Sequence, residues 1–289
     1  MNSQRGDTLI CYNFFGAIEG YNMTEKQILP NFLIIGAAKS GTTSLYYYLK
    51  EHPQIYMPEG KKEPHFLFLE GKKITDFHHS YKNLFSYSVT TLEEYYHLFE
   101  GVTNELAIGE ASVRYLYHQE VVDNIKKYVP NVKLIAMLRN PVDRAYSQYC
   151  HHRRIELENI ENFSSAIALE EKRIKEGWDS GFHYVNRGFY YQQLSKFYEK
   201  FNPEQIKVIF YEELINDPIN VDPNFVSPNV EKKYNQGYLP ANKNLYSILK
   251  KTGNLGKNLV PSNLYSSLKS SIKNRLSPLF KQKIPKLKE

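Results

Sequence analysis

Cysteine is nearly absent: 289 residues contain only Cys11 and Cys150. A pair so far apart in the chain argues against a disulfide framework and fits a reducing, cytoplasmic setting. Long apolar stretches are missing as well, and no run approaches the ~20 residues that a membrane span requires. The first thirty residues lack a basic start followed by an apolar block and a small-residue cleavage site, so no secretory signal is expected. No internal repeat is present. Acids are scarce at one end of the chain. From Lys250 to Glu289 there are 10 Lys and Arg against a single acid, whereas the remaining residues carry 27 basic and 30 acidic groups. The net charge of +6 is therefore a property of the tail and not of the body.

What remains is ordinary for a globular protein, with 42% hydrophobic and 24% charged residues. Phe32 to Ala37, "FLIIGA", is a continuous apolar run, as expected of a strand covered on both faces. Small residues follow, then a helical pattern through Leu45, Tyr48 and Leu49 that ends near His52 and Pro53. The pattern recurs at Val132 to Leu138. There Asn140 is placed to cap a helix, Pro141 takes its first position, and Asp143 suits the first turn. Further strands are expected at Leu106 to Ser112 and at Ile206 to Leu214, the latter preceded by the helical "YYQQLSKFYEKF". This alternation predicts an α/β fold with a central parallel sheet flanked by helices and ligands at the carboxyl ends of the strands. Residues 1–30 read as a lead-in, 31–245 as the main domain and 246–289 as a basic helical tail. In the tail Leu264, Leu268, Ile272 and Leu276 form a narrow apolar stripe. Docking of that stripe on the body is favoured over contact with a membrane surface. The 24 Tyr and 16 Phe include clusters on predicted helices without a stacking-platform motif, so nucleic acid is not an expected partner.

The loop Gly36-Ala37-Ala38-Lys39-Ser40-Gly41-Thr42-Thr43 has the glycine spacing of a phosphate-binding turn between strand and helix. A nucleoside-triphosphate loop reads G-x-x-x-x-G-K-[ST]. Here Thr42 holds the lysine position and Lys39 lies inside the loop. The second strand ends in Arg139, where a metal-holding Asp is wanted for an ATPase. A guanidinium partners phosphate and not Mg²⁺. The two cations therefore fit an anion held without a metal.

"IIGAAKSGTTSLYYYLKEHPQI", "KKEPHFL" and "KLIAMLRNPVDRAYSQYCHH", in that order, resemble the PAPS-dependent sulfotransferases of the heparan-sulfate and prokaryotic branch. The likeness runs from about Asn31 to Asp217. It implies a P-loop NTPase-like sulfotransferase fold with 3′-phosphoadenosine 5′-phosphosulfate (PAPS) as donor and no metal. The acceptor is expected to be a hydroxylated small molecule or a carbohydrate. By this resemblance Lys39 contacts the phosphosulfate and stabilises the leaving phosphate, with Ser40, Gly41, Thr42, Thr43 and Ser44 as further donors. Arg139 and Ser147 match the pair on the 3′-phosphate. Glu63 aligns with the glutamate that deprotonates the acceptor in the heparan-sulfate branch. His65 is an alternative base, expected on the same side of an extended segment. Lys62 is placed to help orient the donor. Arg187 and Gly188 match a segment near nucleotide and acceptor, while Lys232 or Asn235 is expected in donor-closing contacts.

Three departures stand beside the likeness. Ala111 occupies a position where the heparan-sulfate enzymes carry lysine, which disfavours a strictly heparan-type substrate. The helix usual after "EELINDP" is missing, and the chain stops at Glu289 where the family tends to continue with one more helix. Two other readings compete: a P-loop nucleotide kinase or NTPase, and a non-catalytic nucleotide-binding protein.

Overall fold

A computed structural model describes residues 27–60 and 62–216. The lead-in up to residue 26 and the basic tail, with Lys232 and Asn235, lie outside the described residues. So does the stretch after Asp217, where the usual helix is expected to be lacking. The described part forms two compact units. The first comprises residues up to Arg139 and from Tyr190 onward; the second is Asn140–Phe189.

The first unit is built on a five-stranded sheet in the order β2-β3-β1-β4-β5. Its strands are β1 (Phe32–Gly36), β2 (Ile55–Tyr56), β3 (Ala107–Ala111), β4 (Lys133–Leu138) and β5 (Ile206–Phe210), and every pairing is parallel. This is the parallel sheet expected from the alternating pattern. All five residues of β1 are buried. Leu33 and Ile35 pack into the core on one face, Phe32 and Ile34 into the core on the other. The period of two thus puts successive side chains into opposite layers, each worth about 1.5–3 kcal/mol of burial. Two neighbours fit only because one lacks a side chain. Phe32 pairs with Gly109 of β3, and a Cβ on that glycine would meet the Phe32 ring at 2.0 Å.

Helices of this unit are α1 (Thr42–Lys50), α2 (Phe66–Leu69), α3 (Lys82–Phe85), α4 (Leu92–His97) and α5 (Glu120–Tyr128). Thr91 and Glu94 close a reciprocal capping box at the start of α4. The second unit begins with α6 (Pro141–Arg154), α7 (Phe163–Ala168) and α8 (Glu170–Lys175), and the chain returns to the first through α9 (Tyr190–Lys200) and α10 (Tyr211–Asn216).

The last expected strand is shorter than the apolar run suggested. It ends at Phe210, and Tyr211 onward is helical. Glu213 accepts the Phe210 amide at 3.1 Å, and Glu212 and Glu213 sit in the first turn, where the helix dipole favours acids. No helix among the described residues is long and apolar enough to cross a membrane.

The second unit packs Val142, Ala145, Tyr146, Tyr149, Phe163 and Tyr184 into its own core. A buried ion pair crosses it. Arg173 donates to Glu158 through both terminal nitrogens, at 2.6 and 3.0 Å, and the Tyr184 hydroxyl adds a third bond at 2.9 Å. Burial pushes the Glu158 carboxyl up, but Arg173, the Ile160 amide and Tyr184 together hold it below its usual range.

Candidate active site

β1 runs into the loop at its carboxyl end, and the loop runs into α1. Lys39 and Gly41 are both left-handed, with φ of 68° and 88°. Left-handed residues on either side of Ser40 curl the backbone into a concavity of the kind that receives anions. Gly41, at the N-cap of α1, offers no side-chain acceptor to the first helical amides, and the first turn holds no acid. The positive end of α1 is therefore not neutralised by its own sequence. The Ser40 hydroxyl is fully buried and has no hydrogen-bond partner among the described residues. A buried hydroxyl of this kind costs about 1–3 kcal/mol unless a ligand completes it. The chemistry of the loop, with its uncapped amides and its unpartnered hydroxyl, suits an anionic oxygen-rich group.

Arg139, at the end of β4, donates from Nη1 to the Lys39 carbonyl at 3.0 Å. The two cations named from the sequence therefore meet through the loop backbone. The Tyr211 ring lies 4.6 Å from the Arg139 guanidinium, and a Cβ on Gly41 would stand 2.8 Å from the same ring. Tyr211 thus lies against both the loop and Arg139, a contact that sequence reading missed. Its signal was available only as an aromatic residue at the carboxyl end of β5, where ligands of such sheets collect.

The second strand–helix junction differs from the first. Asn140 accepts the amides of Val142 and Asp143 at 3.0 and 3.4 Å. The cap expected from the sequence is in place, and it occupies donors that α1 leaves to a ligand. The Arg139 side chain stands just ahead of this capped turn, at the end of β4. Ser147 lies half-buried on α6. Arg187 is buried and Gly188 lies in the turn Asn186–Gly188 that packs against α6 within the second unit. Glu170 positions this turn by accepting the Val185 and Asn186 amides, each at 2.7 Å.

The segment holding Glu63 and His65 is not extended. Both residues are left-handed, with φ of 67° and 56°. With Lys39 they make up three of the four described non-glycine residues in that region, and such strain persists only where surrounding contacts impose it. Those contacts are visible. The Glu63 amide donates to Ala111 O at 2.9 Å, and Glu63 Oε2 accepts the Val113 amide at 2.9 Å. The Lys62 ammonium pairs with Glu63 Oε1. His65 Nε2 stands 3.6 Å from Glu63 Oε2, and the His65 amide donates to Ser112 Oγ at 3.0 Å. So the two candidate bases do adjoin, through a pair of left-handed residues and not through strand alternation. The Val113 carbonyl in turn lies against Gly36, 3.2 Å from where a Cβ would be, which ties the Glu63 segment to the phosphate loop. Ala111, the position without a lysine, is the buried last residue of β3. Thr42 is buried and Thr43 and Ser44 are half-buried at the start of α1. Among the described residues, no three His, Cys, Asp or Glu side chains group as metal ligands.

Comparison with known proteins agrees with this geometry. Residues 30–221 match the family model described as "Sulfotransferase family". A solved sulfotransferase from Alicyclobacillus acidocaldarius is 33% identical, with a TM-score of 0.62, over 87% of this chain and 96% of the other. A membrane-associated sulfotransferase of Dictyostelium discoideum is 38% identical over 127 residues, 42% of this chain and 22% of that protein. The human bifunctional heparan sulfate N-deacetylase/N-sulfotransferase 3 is 27% identical over 206 residues, 67% of this chain and 21% of that protein. The chain thus spans about a fifth of the length of these two curated relatives.

Proposed function

Since the chain belongs to the sulfotransferase family, we propose that it moves a sulfuryl group from PAPS to a hydroxyl or amine of a small-molecule or carbohydrate acceptor. The observation that carries this reading is the loop itself. Its helix end lacks a side-chain cap and an acid, its Ser40 hydroxyl has no partner among the described residues, and an arginine stands where an ATPase needs a metal-binding carboxylate. Relatives named for heparan sulfate support a carbohydrate acceptor, while Ala111 speaks against a strictly heparan-type one. A cytoplasmic setting belongs to the same reading and rests on the two widely spaced cysteines.

In this mechanism the amides of α1, with Ser40, Gly41, Thr42, Thr43 and Ser44, hold the 5′-phosphosulfate. Lys39 stabilises the charge that grows on the bridging oxygen as its bond to sulfur breaks. Arg139 and Ser147 take the 3′-phosphate, and Arg187 and Gly188 border the nucleotide. The acceptor oxygen attacks sulfur in line and passes its proton to a side-chain base. Adenosine 3′,5′-bisphosphate leaves with the electron pair of the broken S–O bond. We assign the base to Glu63 and not to His65. The His65 side chain is only 2% exposed, against 20% for Glu63, so an acceptor reaches the carboxylate first. His65 then orients it.

Calorimetric titration of the protein with adenosine 3′,5′-bisphosphate and, separately, with ATP and Mg²⁺ tests the donor assignment. Binding of the bisphosphate alone is expected; binding of ATP alone returns the site to the kinase and NTPase class. A mass-spectrometric screen of labelled PAPS against hydroxylated small molecules and polysaccharides then identifies the acceptor. Turnover of none of them, with the bisphosphate bound, would favour the non-catalytic reading.

A further inference from the structure

The segment from α3 to α4 carries an aromatic side chain that the mechanism above does not use. Tyr87, just after α3, is 46% exposed, yet Leu84 and Val89 on either side of it are buried in the core. The Tyr87 amide donates to the Leu84 carbonyl at 3.4 Å, and Ser88 Oγ donates to the same carbonyl at 2.7 Å. The Val89 amide donates to the Pro64 carbonyl at 2.8 Å, which fastens the segment to the residue after Glu63. A second tie lies at Tyr81, buried directly before α3, where the Arg114 guanidinium stands 5.9 Å over the ring. Arg114 follows Val113, whose amide donates to Glu63. The segment that bears Tyr87 is therefore fixed to both stretches of chain that hold Glu63.

The Tyr87 ring centre lies 6.1 Å from that of His65, with the two planes tilted by 56°. His65 Nε2 is in turn 3.6 Å from Glu63 Oε2. Glu63, His65 and Tyr87 thus form a row in which the middle member is enclosed and the two outer ones reach solvent. A single exposed aromatic needs no explanation in itself. One that is anchored on both flanks, beside a carboxylate open to solvent, is a rigid apolar face at the mouth of the site. A tyrosine presents such a face with few rotatable bonds to immobilise, so a flat partner gains contact there at small entropic cost. We propose that Tyr87 is a specificity-determining residue for the acceptor, its ring receiving the face of an acceptor that carries its hydroxyl on a ring. The C–H face of a pyranose and the π face of a phenol share this chemistry, whereas a chain alcohol offers no such face.

The consequence for turnover rests on the reading of Glu63 as the base, but the binding of a ring does not, and the two separate by experiment. Saturation-transfer NMR is run on the full chain with phenol, methyl glucoside and butanol, with and without adenosine 3′,5′-bisphosphate. Phenol, methyl glucoside or both should bind the parent and Tyr87→Phe, with affinity about tenfold lower in Tyr87→Ala. Butanol should show no such difference. Which ring compound responds tells the aromatic source from the sugar. For ring acceptors found with labelled PAPS, KM should rise about tenfold in Tyr87→Ala while kcat changes by less than about twofold, and Tyr87→Phe should restore KM. If Tyr87→Ala fails to fold, Tyr87→Gln removes the flat face while keeping a long side chain, and the same loss is expected. Equal ring affinity in the parent and the truncated variant overturns the proposal, and so does a parent that binds neither ring compound. Full turnover in Glu63→Gln, or a parent that does not bind the bisphosphate, refutes the base or the donor assignment alone when ring binding still depends on Tyr87.

Discussion

Three non-glycine residues in the left-handed region carry the candidate chemistry: Lys39, Glu63 and His65. Lys39→Ala removes the ammonium assigned to the leaving phosphate, and Glu63→Gln removes the assigned base while keeping its shape. Each is expected to leave a folded protein with turnover lowered ~10²-fold or more, the scale of one electrostatic or proton-transfer group. Bisphosphate affinity should survive Glu63→Gln and weaken in Arg139→Ala, and calorimetry on the three variants checks the division of labour. Unchanged turnover in Glu63→Gln would transfer the base role to His65 or to no side chain. At this scale the sequence made the loop legible, because glycine spacing and the displaced lysine are local features. It did not reveal the geometry around Glu63. The segment looked extended, yet hydrogen bonds to the Ala111 carbonyl and from the Val113 amide, some fifty residues away, hold a left-handed backbone. Tyr211 and Glu110 went unread for the same reason. One meets the site only through the order of the strands, and the other looks like any strand residue until its partners Tyr95 and Tyr115 close around it.

The elements that deliver the site depend on fit between neighbouring strands. β3 bears Glu110 and leads to Ser112 and Val113, and it packs against β1 only because Gly109 admits the Phe32 ring. Gly109→Ala places a methyl group 2.0 Å from that ring, so the strands must part or Phe32 must leave its pocket. Overpacking costs about 1–3 kcal/mol where a core can adjust. Denaturant unfolding should show at least that loss, and Phe32→Ala in the same chain should restore part of it. A Gly109→Ala protein as stable as the parent would mean that β1 and β3 tolerate separation. β1 and β4 were legible because their apolar runs, Phe32–Ile35 and Leu134–Leu138, are continuous, as burial on both faces requires. β2 was not, since two residues carry no period. β5 was read too long because Tyr211 prolongs its apolar run, and the Glu213 side chain that accepts the Phe210 amide where the helix begins acts on the backbone and leaves no trace in that run.

Over the whole molecule, the buried acids pull stability in opposite directions with pH. Glu158, lowered in the folded state by Arg173 and its other donors, contributes stability that is present above its unfolded value and lost as pH falls through its folded one. Glu110 has the reverse sign. Its folded value of about 7 exceeds the unfolded one, so the folded state holds the extra proton and stability declines as pH rises from about 4.5 to 7. The decline amounts to about 3 kcal/mol and then levels off. The two effects fall in different units, and the chain has one tryptophan, Trp178, in the second. Its fluorescence should therefore report the acid-side loss tied to Glu158, and Glu158→Ala should cost about 3–5 kcal/mol at neutral pH by leaving Arg173 unpaired. Hydrogen exchange at the β1 amides, corrected for intrinsic rates, reports the sheet. It should show weaker protection at pH 8 than at pH 5 in the parent chain and little difference in Glu110→Gln. Equal protection at both pH values in the parent would mean that Glu110 ionises without cost, and that its burial is relieved by contacts beyond the two tyrosines.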